Sequence, residues 1–360
     1  MSTYSLALFP PTVTLETEPV LRALVMAHRY LAELKGVART IPNEGLLIST
    51  LSLQEAQSSS EIENIITTQD ALYKYRIQPE SADPVSKEVA YYVDGLDIGF
   101  QQVRQDGLLT LKTILEIQAT LEGSNAGFRK TPGTVLKNEQ TGETVYTPPS
   151  PELIPDMMAT LERFIHSDDE LDPLVRMALI HHQFESIHPF YDGNGRTGRI
   201  INILCLVKEG LLDTPILYLS RYISQTKSSY YHALQQVRDN NDWEQWLLYL
   251  LRGVALTARH TTGLVEGIGS LLQQYKQRIR ADYKFYSQDL INNIFRHPYT
   301  KVAFLEQDID VSRATATRYL EALAAGGLLH KHKLGRENYY INHALVDLLF
   351  NLPELDNQNL

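Results

Sequence analysis

HPFYDGNGRTGR, residues 188 to 199, is the stretch from which the architecture of this 360-residue chain is read. Gly193, Gly195 and Gly198 satisfy the spacing G-x-G-x-x-G, which as a dinucleotide fingerprint needs a strand ahead of it and a βαβ unit around it. The residues ahead are helical instead. Asp172 and Pro173 are a helix cap followed by a first-turn proline, and the apolar periodicity runs through Val175, Ala178, Leu179 and Phe184 to Ile187. Behind the loop, Thr197 to Glu209 is apolar almost all round and is closed by Gly210, so it predicts a buried helix. The motif is therefore a loop between two helices. Its glycines let backbone N–H groups approach an anion, and the second helix points its free donors and positive dipole end at the same place. Arg196 and Arg199, three apart on that helix, add two fork-shaped phosphate donors.

The other side chains of the stretch narrow the chemistry. Asp192 is one carboxylate beside an anion cradle, which suits Mg²⁺, an ion that takes one or two protein carboxylates together with substrate phosphates and water. Zinc and di-iron fit less well. Glu185 and His188 form Glu-x-x-His, but no second copy exists. His182 and Glu185 lack a closing histidine, because Ser186 stands in its place. His188 supplies an imidazole that titrates near pH 6.5 and can accept a hydroxyl proton, a form of help worth roughly 10² to 10⁴ in rate. Base, metal carboxylate, anion cradle and two arginines within one loop describe a site for phosphoryl or nucleotidyl transfer.

Working outward, most of the chain is helical in pattern. Leu21 to Leu34, Leu46 to Ala56 and Leu108 to Leu121 are amphipathic at a 3.6-residue spacing. Between Gly123 and Pro149 a Gly- and Pro-rich segment carries the β-prone Val135, Thr144, Val145 and Tyr146, which predicts a hairpin turning near Gln140 to Gly142. After a helix near Thr262 to Arg280, short helical segments lead to VSRATATRYLEALAAGGLL and KHKLGRENYYIN. That order resembles a winged helix with its wing turning near Gly335. The net charge of −10 argues against a chain that coats nucleic acid or anionic membrane. The chain has no apolar run of membrane-spanning length and no leader-like start, and its one cysteine, Cys205, lies in an apolar stretch. We expect a cytoplasmic protein with Cys205 in its core.

The twelve residues from His188 to Arg199 resemble the Fic (Fic/Doc) family, whose motif HPFx[D/E]GNGRxxR they match at every position. The resemblance extends over roughly Leu108 to Ala258. It implies a mainly α fold: a Fic-type helical core with a small β-hairpin flap, plus a C-terminal winged-helix-like α+β domain. By the same resemblance, ATP binds over Gly193, Asn194, Gly195, Arg196, Thr197, Gly198 and Arg199, with Asn194 on the α-phosphate and Asp192 holding Mg²⁺. His188 would deprotonate a Ser, Thr or Tyr hydroxyl that attacks the α-phosphorus. Thr134, Val135, Leu136, Lys137 and Asn138 would form the flap on which a protein target docks. Tyr230 and Tyr231 match the tyrosine pair that flanks adenine in relatives, and they also fit plain helix packing.

SSEIEN, residues 59 to 64, resembles the family's inhibitory pattern [S/T]-x-x-x-E-[G/N]. The resemblance implies that Ser59, Glu63 and Asn64 belong to an inhibitory helix whose Glu63 pairs with Arg199 in place of the ATP γ-phosphate. Ser60 and Glu63 alone also read as a helix-capping box. The expected divisions are an N-terminal regulatory region (1–105), a catalytic core (106–260), a linker helix (261–285), a winged-helix-like domain (286–345) and a tail (346–360). Three activities remain open: transfer of AMP to protein hydroxyls, including the chain's own; removal of AMP from modified proteins; and nucleotide sensing by a transcriptional regulator. The expected partners are ATP and a protein docked on the flap, with a homodimer open and no membrane. Arg313, Arg318, Lys331, Lys333 and Arg336 keep DNA open at the C-terminal domain. Basic and acidic residues nearly balance there, which favours protein contact.

Overall fold

The computed structural model describes residues 6, 9–81, 83–137, 141–334 and 337–355. Asn138 and Gln140 of the expected hairpin, and Gly335 and Arg336 of the expected wing, lie outside the described residues. The N-terminal part holds α1 (Glu18–Ala38), α2 (Glu44–Ile62), α3 (Gln69–Ile77) and α4 (Pro84–Asp106). Local chemistry sets their ends. The side chains of Asn43, Thr68 and Asp83 accept hydrogen bonds from first-turn N–H groups, and Gly107 stops α4 in the left-handed conformation. α2 continues six residues past the expected Ala56, taking Ser58, Ser59 and Ser60 into its buried side. Ser60 thus lies in the last turn and Glu63 at the C-terminal cap, so the capping-box reading of S-x-x-E does not hold.

The middle of the chain builds the core from α5 (Leu111–Glu122), the strands β1 (Leu136–Lys137) and β2 (Thr144–Tyr146), α6 (Ile154–Ile165), α7 (Pro173–Ile187), α8 (Asn194–Lys208), α9 (Leu219–Gln225) and α10 (Lys227–Asn240). Every residue of α7 from Leu174 to Ile187 is buried, and α8 is buried from Arg196 to Leu206, so these two helices are the centre of the molecule. Asp172 caps α7 by accepting from the Leu174 N–H at 2.8 Å. α8 begins at Asn194, three residues before the expected Thr197, because Gly193 turns left-handed (φ 75°) and serves as its N-cap. Cys205 is buried in α8, where desolvation pushes its thiol up to about 12. β1 and β2 pair antiparallel, Leu136 opposite Tyr146 and Lys137 opposite Thr144, as the small hairpin.

The C-terminal part starts on α11 (Trp243–Asp282), a single 40-residue helix that passes residue 260 without a break and continues into the expected Thr262 to Arg280 segment. The apolar face of α1, with Val20, Leu24, Ala27, Leu31 and Leu34 buried at steps of three and four, packs along it. Beyond it lie α12 (Gln288–Arg296), β3 (Tyr299–Lys301), α13 (Val302–Ile309), α14 (Arg313–Ala325), β4 (His330–Leu334), β5 (Glu337–Ile341) and α15 (His343–Phe350). The strands form an antiparallel sheet in the order β3-β5-β4. Ser312 caps α14, and the Gly326-Gly327 pair ends it with Gly327 left-handed. This module rests on the N-terminal helices: Tyr299 Oη donates to Asp70 at 2.7 Å, and Gln54 Nε2 donates to the Leu349 carbonyl at 2.8 Å. No helix among the described residues is long and apolar enough to cross a membrane.

Candidate active site

α7 ends at Ile187, and His188 follows it as a left-handed C-terminal cap (φ 48°, ψ 61°) whose N–H donates to the Phe184 carbonyl. A non-glycine residue rarely takes this conformation, and it swings the imidazole out of the helix into the loop. The residue is half-buried, and among the described residues its Nδ1 has no hydrogen-bond partner. Burial, and then the charges of Arg129 and Arg238, hold its pKa down at about 4 against the opposing pull of Glu63 and Asp192. The ring is therefore neutral, and able to accept a proton, throughout the physiological range.

The loop beyond is closed by Asn194. Its Oδ1 accepts from the Phe190 N–H at 2.9 Å and its Nδ2 donates to the Phe190 carbonyl at 3.0 Å, so the carboxamide holds the loop in shape. Asp192 is exposed at the loop's edge, with Oδ1 accepting from the Gly193 N–H at 2.7 Å. A side chain at Gly193 would meet Glu122 Oε1 at 2.5 Å. The first N–H groups of α8 face the anion cradle expected at a helix N-terminus.

The two arginines have different partners. Arg196 donates from Nη1 to Glu88 at 2.9 Å and from Nη2 to Glu122 at 2.8 Å, and is buried between α4 and α5. Arg199 instead meets the end of α2. Nε donates to Ser59 Oγ at 2.8 Å, and Nη2 donates to the Ser59 carbonyl at 2.9 Å and to Glu63 Oε1 at 2.7 Å. Burial pushes the Glu63 carboxyl up, but the charge and hydrogen bond of Arg199 outweigh it and hold the pKa below its ordinary value. The same Glu63 oxygen would clash with a Cβ on Gly195, so the carboxylate lies against the first turn of α8. Asn64, left-handed at φ 62°, receives Lys227 Nζ at 3.1 Å.

Of the remaining expected residues, Thr197 and Gly198 are buried in α8. Tyr230 is buried with its hydroxyl on His181 Nε2 at 2.8 Å, whereas Tyr231 is exposed and meets the Tyr230 ring edge-on. Thr134 and Val135 lead into β1, and Leu136 and Lys137 form it. His182 points away from Glu185: its Nε2 meets the Leu234 carbonyl and its ring packs on Trp243. Among the described residues no group of three or more His, Cys, Asp and Glu side chains could hold a metal. Sequence reasoning missed Glu88 and Glu122 on Arg196. It also missed Arg129, Tyr146 and Arg238, which surround the His188 turn.

Comparison with known proteins gives three matching family models in chain order. The Fic/DOC family N-terminal model matches residues 21–101, the Fic/DOC family model 108–206, and the C-terminal domain of SoFic-like protein adenylyltransferases 271–345. A probable protein adenylyltransferase of Aquifex aeolicus is 28% identical over 187 residues, 50% of this chain and 55% of that protein. The protein adenylyltransferase Fic of Drosophila mojavensis is 28% identical over 153 residues, 41% of this chain and 29% of that one. The chain thus spans about half the length of the first of these curated relatives and under a third of the second. Among solved structures, a Fic family protein from Desulfovibrio desulfuricans G20 superposes with a TM-score of 0.58 at 19% identity, covering 92% of this chain and 98% of that one. A Fic domain containing signaling protein from Bacteroides thetaiotaomicron superposes with 0.54 at 22%, covering 67% and 96%. At these identities the superpositions speak for the fold.

Proposed function

Because the chain belongs to the Fic/DOC family and carries its N-terminal, central and SoFic-like C-terminal segments in order, we propose that it transfers AMP from ATP to hydroxyl groups of protein side chains and that Glu63 restrains the reaction. The observation that carries this reading is the position of the Glu63 carboxylate, an anion on both Arg199 and the first turn of α8. A site that holds a carboxylate in this way is built for a phosphate.

His188 accepts the proton of a Ser, Thr or Tyr hydroxyl. The oxygen forms a bond to the α-phosphorus, the bond from that phosphorus to the bridging oxygen of the β-phosphate breaks, and pyrophosphate leaves. The backbone of Gly193, Asn194 and Gly195 and the guanidinium of Arg199 hold the phosphates. Asn194 acts through loop shape as well, since both ends of its carboxamide bind Phe190. Thr197 and Gly198 complete the turn beneath them, and Tyr231 is the exposed member of the tyrosine pair beside adenine. Asp192 would hold Mg²⁺, which supplies positive charge against the leaving pyrophosphate; one exposed carboxylate fits an ion that draws its other ligands from phosphate and water. The target segment adds to the edge of β1 over Thr134 to Lys137. We place the protein in the cytoplasm and assign the C-terminal module to protein contact ahead of DNA.

A second reading, removal of AMP from modified proteins, is favoured by the ionised Glu63 beside the same cradle, where it could position a water. Intact mass after incubation with Mg²⁺ and each nucleoside triphosphate separates the two. Transfer requires that Glu63→Gly gain one AMP with ATP, and that Glu63→Gly combined with His188→Ala gain nothing. Loss of AMP release in Glu63→Gly without any gain of label would overturn transfer in favour of removal.

A further inference from the structure

The last carbonyls of α7 and of the turn after it have lost their helical partners, and side chains of the hairpin segment supply them. Tyr146 Oη, at the end of β2, donates to the Ser186 carbonyl at 2.9 Å. Arg129, ahead of β1, donates from Nε to the His188 carbonyl at 2.8 Å and from Nη2 to the Ile187 carbonyl at 3.5 Å. Its own N–H donates to the Pro189 carbonyl at 2.8 Å. The same Nη2 donates to the Pro149 carbonyl at 2.6 Å, just beyond β2. Arg129 is 2% exposed, so a full guanidinium is buried with main-chain oxygens as its hydrogen-bond partners. A cation at a helix C-terminus also meets the negative end of the helix dipole.

We propose that Arg129 and Tyr146 are positioning residues that lock the His188 turn to both ends of the flap, so that the segment receiving the target and the base that activates it move as one body. The inference rests on the reading of His188 as base and of the hairpin as docking strand. Its physical ground is independent of that reading. His188 holds a left-handed conformation that its side chain disfavours, and four consecutive carbonyls from Ser186 to Pro189 are fixed from the flap side. The far side of the clamp is Arg238 of α10, whose guanidinium lies 3.9 Å from the centre of the Tyr146 ring and whose Nε reaches Ser186 Oγ at 3.1 Å. A planar guanidinium reaches three carbonyls at once in a way that a lysine ammonium on a flexible stem does not reproduce.

The test uses the full chain carrying Glu63→Gly, with the rate of self-labelling followed against ATP concentration. Arg129→Met, Arg129→Lys and Tyr146→Phe are compared by plateau rate and by half-saturating ATP. Nothing in the clamp is placed on the nucleotide, so the expected result is a loss confined to the plateau. That loss should be about 100-fold for Arg129→Met, the scale of a 1 Å misplacement of a reacting group, smaller for Tyr146→Phe, and partly recovered in Arg129→Lys. Half-saturating ATP should stay within about twofold, as expected when only transition-state alignment is lost. A folded Arg129→Met with the parental plateau overturns the inference, and so does a loss appearing mainly as weaker ATP saturation. Should Arg129→Met fail to fold, the other two variants decide: parental plateaus in both overturn it. The control is His188→Ala in the same background. If that variant labels at the parental rate, the reading of the site has failed, whatever the clamp variants do.

Discussion

Glu63 Oε1 lies 2.7 Å from Arg199 Nη2, and the same arginine is held through Nε and Nη2 by Ser59, one turn earlier on α2. One helix end therefore supplies both the anion and the fixture that presents the arginine to it. Labelling should rise in the order parent, Ser59→Ala, Glu63→Gln, Glu63→Gly, since these remove one hydrogen bond from the guanidinium to an uncharged hydroxyl, the carboxylate charge, and the whole side chain. The full step should fall within about 5- to 150-fold, the span of coupling free energies of 1–3 kcal/mol. Arg199 keeps the Glu63 pKa low, so the restraint should not relax on mild acidification. The ratio of Glu63→Gly to parent labelling should be the same at pH 6 and pH 8. A Glu63→Gln protein as quiet as the parent would count against a charge-based restraint.

The base makes a separate pH prediction. Burial, with Arg129 and Arg238, holds His188 near 4, and Glu63 is one of the two groups pulling it upward. In the Glu63→Gly protein that pull is gone, so the acid limb of the labelling rate should lie below about pH 5. Between pH 6 and 8 the rate should be flat to within about twofold. An acid limb centred near the ordinary histidine value of 6.5 would mean that the imidazole is solvated when it acts.

What could be read in advance was whatever short spacing encodes. Asp172 and Pro173 mark the start of α7, and the loop from His188 to Arg199 carries its own glycines and arginines. What could not be read depends on partners remote in sequence. Ser58 and Ser59 look like part of a polar helix terminus, yet they are buried within α2, where the Tyr218 hydroxyl meets the first and Arg199 the second. Arg196 looks like a second phosphate ligand, yet Glu88 and Glu122, 108 and 74 residues away, take its guanidinium. Arg129 stands alone in a Gly- and Pro-rich segment, where nothing signals that it will cap a helix 58 residues later.

Stability should peak near pH 7, where two opposing trends balance. Burial pushes Glu55 and Glu185 up to about 7, so the folded chain keeps protons that the unfolded chain has released; this stability is lost as pH rises through 7. Burial also holds His181 near 3 and His188, His260 and His297 near 4, so stability is lost as pH falls below 6.5 and the unfolded chain takes up protons. From pH 6.5 to 8 the two carboxyls together should cost about 1.5 kcal/mol and the four histidines should return about as much, so the parent should be nearly level across that range. Glu55→Gln, whose one carbonyl oxygen can replace the oxygen that accepts from Tyr92 and the Ser220 hydroxyl, should remove about half of the carboxyl cost and so gain about 0.8 kcal/mol over that range relative to the parent. Urea midpoints at the two pH values measure it; a Glu55→Gln protein that keeps the parent's pH dependence would contradict it.

Two helical glycines should respond to alanine with opposite signs. Gly36, on the exposed side of α1, has nothing within 4 Å of an added Cβ, so Gly36→Ala should gain about 0.5–1 kcal/mol from reduced freedom of the unfolded chain. Gly99 in α4 gains the same conformational term, but there a Cβ would stand 2.5 Å from Leu204 Cδ1 and 2.8 Å from Ile117 Cδ1. Both side chains are fully buried, so neither can swing into solvent, and relief requires α8 or α5 to shift. Overpacking of this kind costs about 1–3 kcal/mol, which exceeds the conformational gain, so Gly99→Ala should be net destabilising by up to about 2 kcal/mol. Because Leu204 belongs to the helix that carries Arg199, the shift should also weaken the grip on Glu63 and raise self-labelling of the otherwise unmodified chain. Equal stability of the two alanine proteins would show that the α4–α8 contact has slack that the packing around Gly99 does not show.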